Sequence, residues 1–467
     1  MRPNIVAILP RGEAIRNFVY SRALEHLAED ADLTVLSVFP SEEIRDLLRT
    51  RYDRVAELKE MTERWPVRIQ REVLDMAHGR WIWSEAAKER WELRDREAAT
   101  IPAKVKRAAK KLACYPFANR GGLEFLSRAE RASSRWLRTT DAYLKQFQDN
   151  RPDLVFNGSH VHSHVSLPVV QAAQWLGIPT AAFIFSWDNL TSQGRIIPPY
   201  DYYLVWNEDM RNQLLDLYRQ VRPEQVVVTG TPQFDFYFRP EHHWTRRDFC
   251  ERIGADWTRP IVFYTTGMSN HMPGEDRIVE GLADVVKEMT QFGPPQLLVR
   301  VNPKDRTGRF DVLRARRPDI IFSPVAWEQS WHTPKLDDIG VFTNSLRHAD
   351  VGINITSTVS LELCMFDRPV LNIGYNPPDD PVVRSFARYY SFDHYRPVTD
   401  SGAVAIAYSS GDVRGLLEDA LTHPEKAREA RQRLITKFFG RTLDGYSGKR
   451  VSDALLEMAG ARILQNA

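Results

Sequence analysis

The sequence predicts an α/β protein built of two doubly wound domains, the first carrying a helical insertion. Three observations predict it. Short apolar runs alternate with helical stretches in two separate series, the pattern of parallel sheets with crossover helices. The chain has 467 residues, more than one compact core holds. A stretch from 41 to 140 breaks the alternation and reads as mostly helical. The first series places strands at Ile5–Leu9 and Leu33–Phe39 around a helix near Arg16–Glu29. It resumes at Leu154–Asn157, Thr180–Phe185, Tyr202–Trp206 and Gln225–Thr229, with a helix through Leu167–Leu176. The second series runs through Ile261–Thr265, Gln296–Val301, Ile320–Phe322, Val351–Ile355 and Val370–Ile373. The join falls near Thr231–Trp257, where Pro232, Pro240 and the His242-His243 pair interrupt the pattern. The expected division is 1–235, 236–440 and a final segment 441–467 packing back on the first domain. Ligands are expected at the carboxyl ends of the strands.

Composition bounds the function. Hydrophobic residues at 43% and charged residues at 27% are globular values, and a net charge of +2 argues against general polyanion or nucleic-acid binding. Cys114, Cys250 and Cys364 lack CxxC spacing, so neither a disulfide framework nor a zinc site is expected. The apolar run after Met1 is too short for a signal peptide, and no window approaches the ~20 apolar residues of a membrane span. A cytoplasmic protein, soluble or peripheral, is expected. Within 104–138, ten basic residues face only Glu124 and Glu130. Such a segment suits an anionic membrane surface, or is simply a solvated helix face.

In the second series, Thr356, Ser357 and Thr358 place hydroxyls where a helix N-terminus leaves its first N–H groups unpaired, a seat for an anion. Glu362, about one turn later, reaches a sugar hydroxyl beside that anion. The same residues also make an ordinary N-capped helix. Leu298–Asp305 ends a strand in Arg-x-Asn-Pro-Lys. Arg300 offers a planar fork and Lys304 a point charge to phosphate, while Asn302-Pro303 stops the strand. After the first strand of this domain, Gly267, Ser269 and Asn270 are small or polar residues that permit close backbone approach. Three such pieces at successive strand ends point to a nucleotide-diphosphate site.

The first series offers His160, His162 and His164 beyond a strand end. A helix beginning near Ser163 makes the three rings diverge, and no Cys, Asp or Glu cluster completes a metal site. His160 is instead a candidate base or substrate contact. Ile184–Arg195 has the composition of a binding loop on a rigid scaffold. Asp188 is placed to accept a proton, Trp187 to stack on a sugar face, and Asn189 and Arg195 to contact an acceptor. An Asx-type turn explains Asp188 and Asn189 equally well. Arg16 and Asn17 lie at a helix start and are further acceptor contacts. GxGxxG, GxSxG, Walker A and HExxH are all absent.

Taken together, Ser-Trp-Asp-Asn-Leu-Thr-Ser at 186–192, Arg-Val-Asn-Pro-Lys at 300–304, the Thr-Ser-Thr turn with Glu362, and Asp393-His394-Tyr395-Arg396-Pro397-Val398 resemble bacterial surface-polysaccharide glycosyltransferases of the GT-B fold. The resemblance covers about 150–410 well and the first 40 residues loosely. It implies two Rossmann-like domains facing a cleft, with nucleotide-sugar as substrate and a saccharide or lipid-linked acceptor. It further implies that Ser357 and Thr358 seat the diphosphate and that Glu362 binds ribose or donor-sugar hydroxyls. Arg300 and Lys304 would neutralise the leaving nucleotide, and Asp188 or His160 would deprotonate the acceptor. Such sites need no cofactor and no metal, because cations and a helix N-terminus replace it. Non-hydrolysing nucleotide-sugar epimerases and glycerophosphate polymerases share the shape. The epimerases' acidic and histidine set does not map here, and the polymerases' His-Gly pair is replaced by Asn157-Gly158-Ser159-His160. A nucleotide-sugar sensor without turnover and a membrane-recruited scaffold are the non-catalytic readings.

Overall fold

The computed structural model describes residues 2–161, 165–378 and 384–466. His162 and His164 lie outside the described residues. The chain divides into two units: Met1–Asp235 with Gln329–Thr333 and Thr442–Ala467, and Phe236–Glu328 with Pro334–Arg441.

The first unit is built on a seven-stranded sheet, all parallel. Its strands are β1 (Asn4–Leu9), β2 (Asp32–Ser37), β3 (Arg54–Glu57), β4 (Leu154–Asn157), β5 (Thr180–Phe183), β6 (Tyr202–Val205) and β7 (Val226–Val228), in the order β3-β2-β1-β4-β5-β6-β7. Ile5 to Leu9 are buried throughout, as a strand covered on both faces demands. The order reverses between β1 and β4. There the Gly158 N–H donates to Ile8 O (2.9 Å), and Phe18 packs edge-on against Phe156 and Phe183. A Cβ on Gly158 would stand 2.9 Å from the Phe18 ring and 3.2 Å from Ile8 O, so only glycine lets the chain leave β4 this closely.

Two expectations are corrected in this unit. The helix expected over Arg16–Glu29 follows α1 (Gly12–Ile15) and is itself two pieces, a π-helical turn Arg16–Tyr20 and α2 (Ala23–Asp30), with Arg22 left-handed at φ 64° between them. The stretch 41–140 also contains β3, a four-residue edge strand whose charged ends hide it from an apolar-run reading. The rest of that stretch is helical: α3 (Glu42–Arg51), α4 (Trp65–Ile82), α5 (Glu85–Glu97), α6 (Ile101–Cys114) and α7 (Arg120–Trp136), followed by α8 (Ala142–Asp149). The small core of Leu74, Met76, Ala77, Cys114, Leu123 and Leu126 is supplemented by ion pairs. Asp75 holds Arg90 (2.7 Å) and Arg94 (2.9 Å), and Glu130 holds Arg71 (2.6 Å). His78 is fully buried between Trp81 and Tyr218, and burial, helped by the Arg195 charge, pushes its pKa down to about 3.

The second unit carries six parallel strands: β8 (Ile261–Thr265), β9 (Gln296–Arg300), β10 (Ile321–Phe322), β13 (Val351–Asn354), β14 (Val370–Ile373) and β15 (Val404–Ala407); the short β11 (Trp327–Glu328) lies outside that sheet, and β12 (Thr333–Pro334) falls at the division of the chain. The order is β10-β9-β8-β13-β14-β15, reversing between β8 and β13. β15 was not expected, because Ala405 and Ile406 are not buried and its run is short. Gly352 in β13 lies under the helix Val359–Met365, where an added Cβ would meet Leu363 at 2.0 Å. The C-terminal part of the chain ends in two helices, Arg428–Phe439 and Ser447–Asn466.

Gly158→Ala should therefore destabilise the first unit by about 1–3 kcal/mol through overpacking against Phe18. A urea titration checks it, and an unchanged midpoint would reject the close packing.

Candidate functional site

In the second unit the predicted pieces do lie at successive strand ends, and their loops are tied together by buried polar groups. The Thr266 N–H donates to Arg300 O (3.1 Å), and the Thr266 hydroxyl accepts the Asn302 N–H (2.8 Å), so the β8 and β9 loops are stitched side by side. Asn302 Oδ1 in turn accepts the Lys304 N–H (2.9 Å). Beside them an open cavity of about 560 Å³ is lined by Asn302, Asp305, Asp311, Arg314 and Ser323 among others.

The turn after β13 is strained. Thr356 has φ 42°, a left-handed conformation that a β-branched residue rarely takes. Its neighbours are held: the Ser357 N–H donates to Asn354 Oδ1 (3.1 Å), and Ser357 Oγ accepts the Val359 N–H (3.2 Å). Beneath the turn, Ser360 Oγ lies 3.0 Å from Asn354 Oδ1 and 3.1 Å from Asn372 Oδ1, one of which takes its single proton. The Tyr395 hydroxyl donates to Ser360 (2.9 Å) and accepts from Asn372 Nδ2 (2.9 Å). Asn354 Nδ2 is buried without a hydrogen-bond partner among the described residues. Glu362 is buried, and its Oε2 accepts a hydrogen bond from the Tyr237 hydroxyl.

Two carboxylates that the sequence reading passed over organise these loops. Asp338 accepts from Arg300 (2.6 Å), from the Trp327 indole (2.8 Å) and from the Ala326 N–H (3.0 Å). Arg300 is thereby committed: its guanidinium also donates to Pro324 O (3.2 Å) and lies 4.9 Å from the Phe342 ring centroid. The second is Glu275, which accepts the Gly267 N–H (2.9 and 3.1 Å) and the Tyr264 hydroxyl (3.0 Å), with Arg309 at 3.5 Å. Burial pushes its carboxyl up to about 7, against the lowering pull of Arg309 and its hydrogen bonds. A signal for these groups existed. Asn157, Arg300, Asn354 and Asn372 are polar residues at or near the ends of otherwise apolar strands, and Glu275 opens the helix after a small-residue loop. Ser269 is half-buried and Asn270 exposed in that loop.

In the first unit, His160 follows β4 with Nδ1 3.3 Å from Phe183 O. A carbonyl only accepts, so Nδ1 carries the proton in that contact. Asp188 accepts from the Ser192 hydroxyl (2.6 Å), and Asn189 Oδ1 accepts the Ser186 N–H (3.0 Å), so both side chains bond within their own loop. Trp187 is buried. Arg195 Nε donates to Ser127 Oγ (3.0 Å), with its guanidinium 5.0 Å from the Tyr218 ring centroid, which turns it into the helical insertion. Arg16 donates to Asn17 Oδ1 (2.9 Å) and Gln233 Oε1 (2.7 Å), and the buried Asn17 Nδ2 has no hydrogen-bond partner among the described residues. Among the described residues, no group of three His, Cys, Asp or Glu could hold a metal ion.

No protein-family model and no curated protein matches the sequence. Solved structures do match in fold. A UDP-GlcNAc 2-epimerase from Methanocaldococcus jannaschii is 14% identical with a TM-score of 0.55, covering 97% of this chain and 99% of that one. The enzyme from Neisseria meningitidis, solved bound to UDP-GlcNAc, is 12% identical with a TM-score of 0.53, covering 98% and 100%. That from Rickettsia bellii is 11% identical, with a TM-score of 0.51 over 99% and 97%. The chain therefore has a GT-B-like α/β fold of two doubly wound domains. No helix among the described residues is long and apolar enough to cross a membrane.

Two expectations follow. Asp338→Ala should cost about 3–5 kcal/mol, because it strands the buried Arg300 charge; a loss under ~1 kcal/mol in chemical denaturation would show that Arg300 does not depend on it. For Glu275, the folded pKa of about 7 lies above the ordinary 4.5. Its contribution to stability is therefore complete below pH ~4.5 and lost as pH rises to about 7, up to ~3 kcal/mol. Wild type should lose stability over pH 5–8 more steeply than Glu275→Gln, and parallel profiles would reject the assignment.

Proposed function

We propose that the second unit binds a nucleotide-sugar of the uridine diphosphate class at the carboxyl ends of β8, β9 and β13. We further propose that the chain is a metal-independent glycosyltransferase acting on a saccharide or lipid-linked acceptor in cell-envelope polysaccharide synthesis in the cytoplasm. The observation that carries this reading is the strained Thr356–Ser357–Thr358 turn at the point where the second sheet reverses its strand order, the place where doubly wound sheets bind ligands. Fold likeness to proteins solved with UDP-GlcNAc supports the choice of nucleotide.

In this reading the diphosphate rests on the hydroxyls of 356–358, with Lys304 supplying positive charge. Gly267, Ser269 and Asn270 border the donor, and Glu362 exchanges its bond from Tyr237 for a ribose or sugar hydroxyl. Arg300 contributes indirectly, by fixing Asp338 and the β9 loop. The first unit's acceptor contacts come from Arg16, Asn17, Trp187 and Asn189, while Arg195 faces the helical insertion. Nε2 of His160, or the Asp188 carboxylate, takes the acceptor's hydroxyl proton while its oxygen attacks the anomeric carbon. The nucleoside diphosphate leaves from the opposite face, so one displacement inverts the configuration. Excluding water at this step suppresses hydrolysis of the activated sugar.

The fold likeness equally favours a second reading, a nucleotide-sugar 2-epimerase. UDP-GlcNAc incubated with the protein alone and followed by proton NMR separates the two. A C2 epimer formed without acceptor identifies the epimerase, whereas UDP released only with an added saccharide identifies the transferase.

Binding is tested first. UDP at about 100 times its dissociation constant should stabilise the chain by ~2.7 kcal/mol in a thermal-shift assay. Glu362→Ala should weaken UDP or UDP-sugar binding by about 1–3 kcal/mol. A folded variant that binds as tightly as wild type would remove Glu362 from the site, and no shift with any uridine nucleotide would remove the reading itself.

A further inference from the structure

The helix α6 is turned inside out. Ile101, Val105 and Leu112 recur along one side of it and are 78%, 64% and 76% exposed. The other side carries charge and faces inward. Arg107 donates to Asp95 (2.9 Å), Lys111 pairs with the same carboxylate, and Lys110 pairs with Glu72. A surface helix ordinarily buries its apolar stripe and exposes its charges. Here acids of α4 and α5 clamp the basic side, so the apolar stripe is held toward solvent.

The stripe is bordered by positive charge. At 100° per residue, Lys104 and Lys106 fall on its two flanks; both are exposed, and neither has an acidic partner among the described residues. On α7, Trp136 is 84% exposed and Phe125 is exposed, beside an exposed row that includes Arg131 and Arg135. Seven of the ten basic residues in 104–138 are exposed, against Glu124 as the one exposed acid there. This distribution selects the occupant. A second copy of the same face would bring like charges together, whereas an anionic bilayer supplies negative charge across its surface and an apolar layer just beneath it. Aromatic side chains such as Trp136 sit favourably at that boundary.

We propose that α6, aided by the basic row of α7, seats this chain on the surface of an anionic lipid bilayer, with Ile101, Val105 and Leu112 entering the headgroup boundary. The surface is independent of the nucleotide-sugar site, and its test does not involve nucleotide. The full chain is floated with vesicles of phosphatidylcholine alone or with about 30% phosphatidylglycerol, at about 0.1 M and 0.5 M salt. Binding is expected only to the anionic vesicles and is weakened by salt. Lys104→Glu with Lys106→Glu, and separately Ile101→Ser with Val105→Ser and Leu112→Ser, should each lower partitioning about tenfold or more at an unchanged melting temperature. Leu112→Ser alone, expected to lower it severalfold, serves if the triple variant misfolds. Failure of wild type to bind phosphatidylglycerol vesicles, or wild-type binding by both multiple variants, overturns the proposal. So does a wild-type oligomer in sedimentation velocity that the apolar variant dissociates, because the face would then be a contact between copies of this chain.

Discussion

The carboxyl edge of the second sheet depends on one buried hydrogen-bonded cluster, Asn354, Ser360, Asn372 and Tyr395. Burying a polar group without a partner costs several kcal/mol in an apolar setting, so the side-chain oxygens of Asn354, which ends β13, and Asn372, within β14, need partners nearby. They share a single serine on the helix that follows β13, and Asn372 Nδ2 donates to a tyrosine 23 residues further on. Ser360 is thereby fixed against both strands, and Gly352 lets its helix come close enough for the contact. The chain from 355 to 358 must then close the gap between a fixed strand end and a fixed helix. Thr356 takes the left-handed conformation that this closure requires, and the cluster holds the strain in place.

The buried carboxylates serve the same purpose in the adjoining loops. Glu275 holds the Gly267 backbone, and Asp338 holds Arg300, Trp327 and the Ala326 N–H. Each couples groups distant in sequence, so the loops beyond β8 and β9 are shaped before any ligand arrives. Preorganised donors cost no rearrangement when charge develops on a leaving group. The Arg300 guanidinium, meeting Asp338 at 2.6 Å, serves this scaffold.

The fold was legible because a parallel strand buried on both faces reads as a short apolar run whatever surrounds it. Leu154–Asn157, Ile261–Thr265 and Val370–Ile373 begin and end where the sequence places them. Strands whose burial is incomplete escaped: β3 is charged at an edge, and β15 is half open. Which loops border the second sheet's carboxyl edge was legible from the polar residues that end its strands. Side-chain direction was not. Arg300 turns to a carboxylate 38 residues away, and Arg195 turns to Ser127 in the insertion, 68 residues away. Nothing in the local spelling of either motif encodes those partners.

The insertion carries the same lesson further. Its Arg- and Glu-rich sequence looks like a solvated surface, yet many of those charges point inward, and Asp75, Asp95 and Glu130 pair with Arg90, Arg107 and Arg71. Ion pairs of this kind fix geometry more than they add net stability. An interior held by charge has no need of the apolar residues on α6. Leaving a side chain such as Leu112 in water forgoes roughly 1.5–3 kcal/mol of burial, and Ile101 and Val105 forgo comparable amounts. A helix oriented by its charged side, with its apolar side kept outward at that cost, is a surface whose burial is completed by something other than this chain.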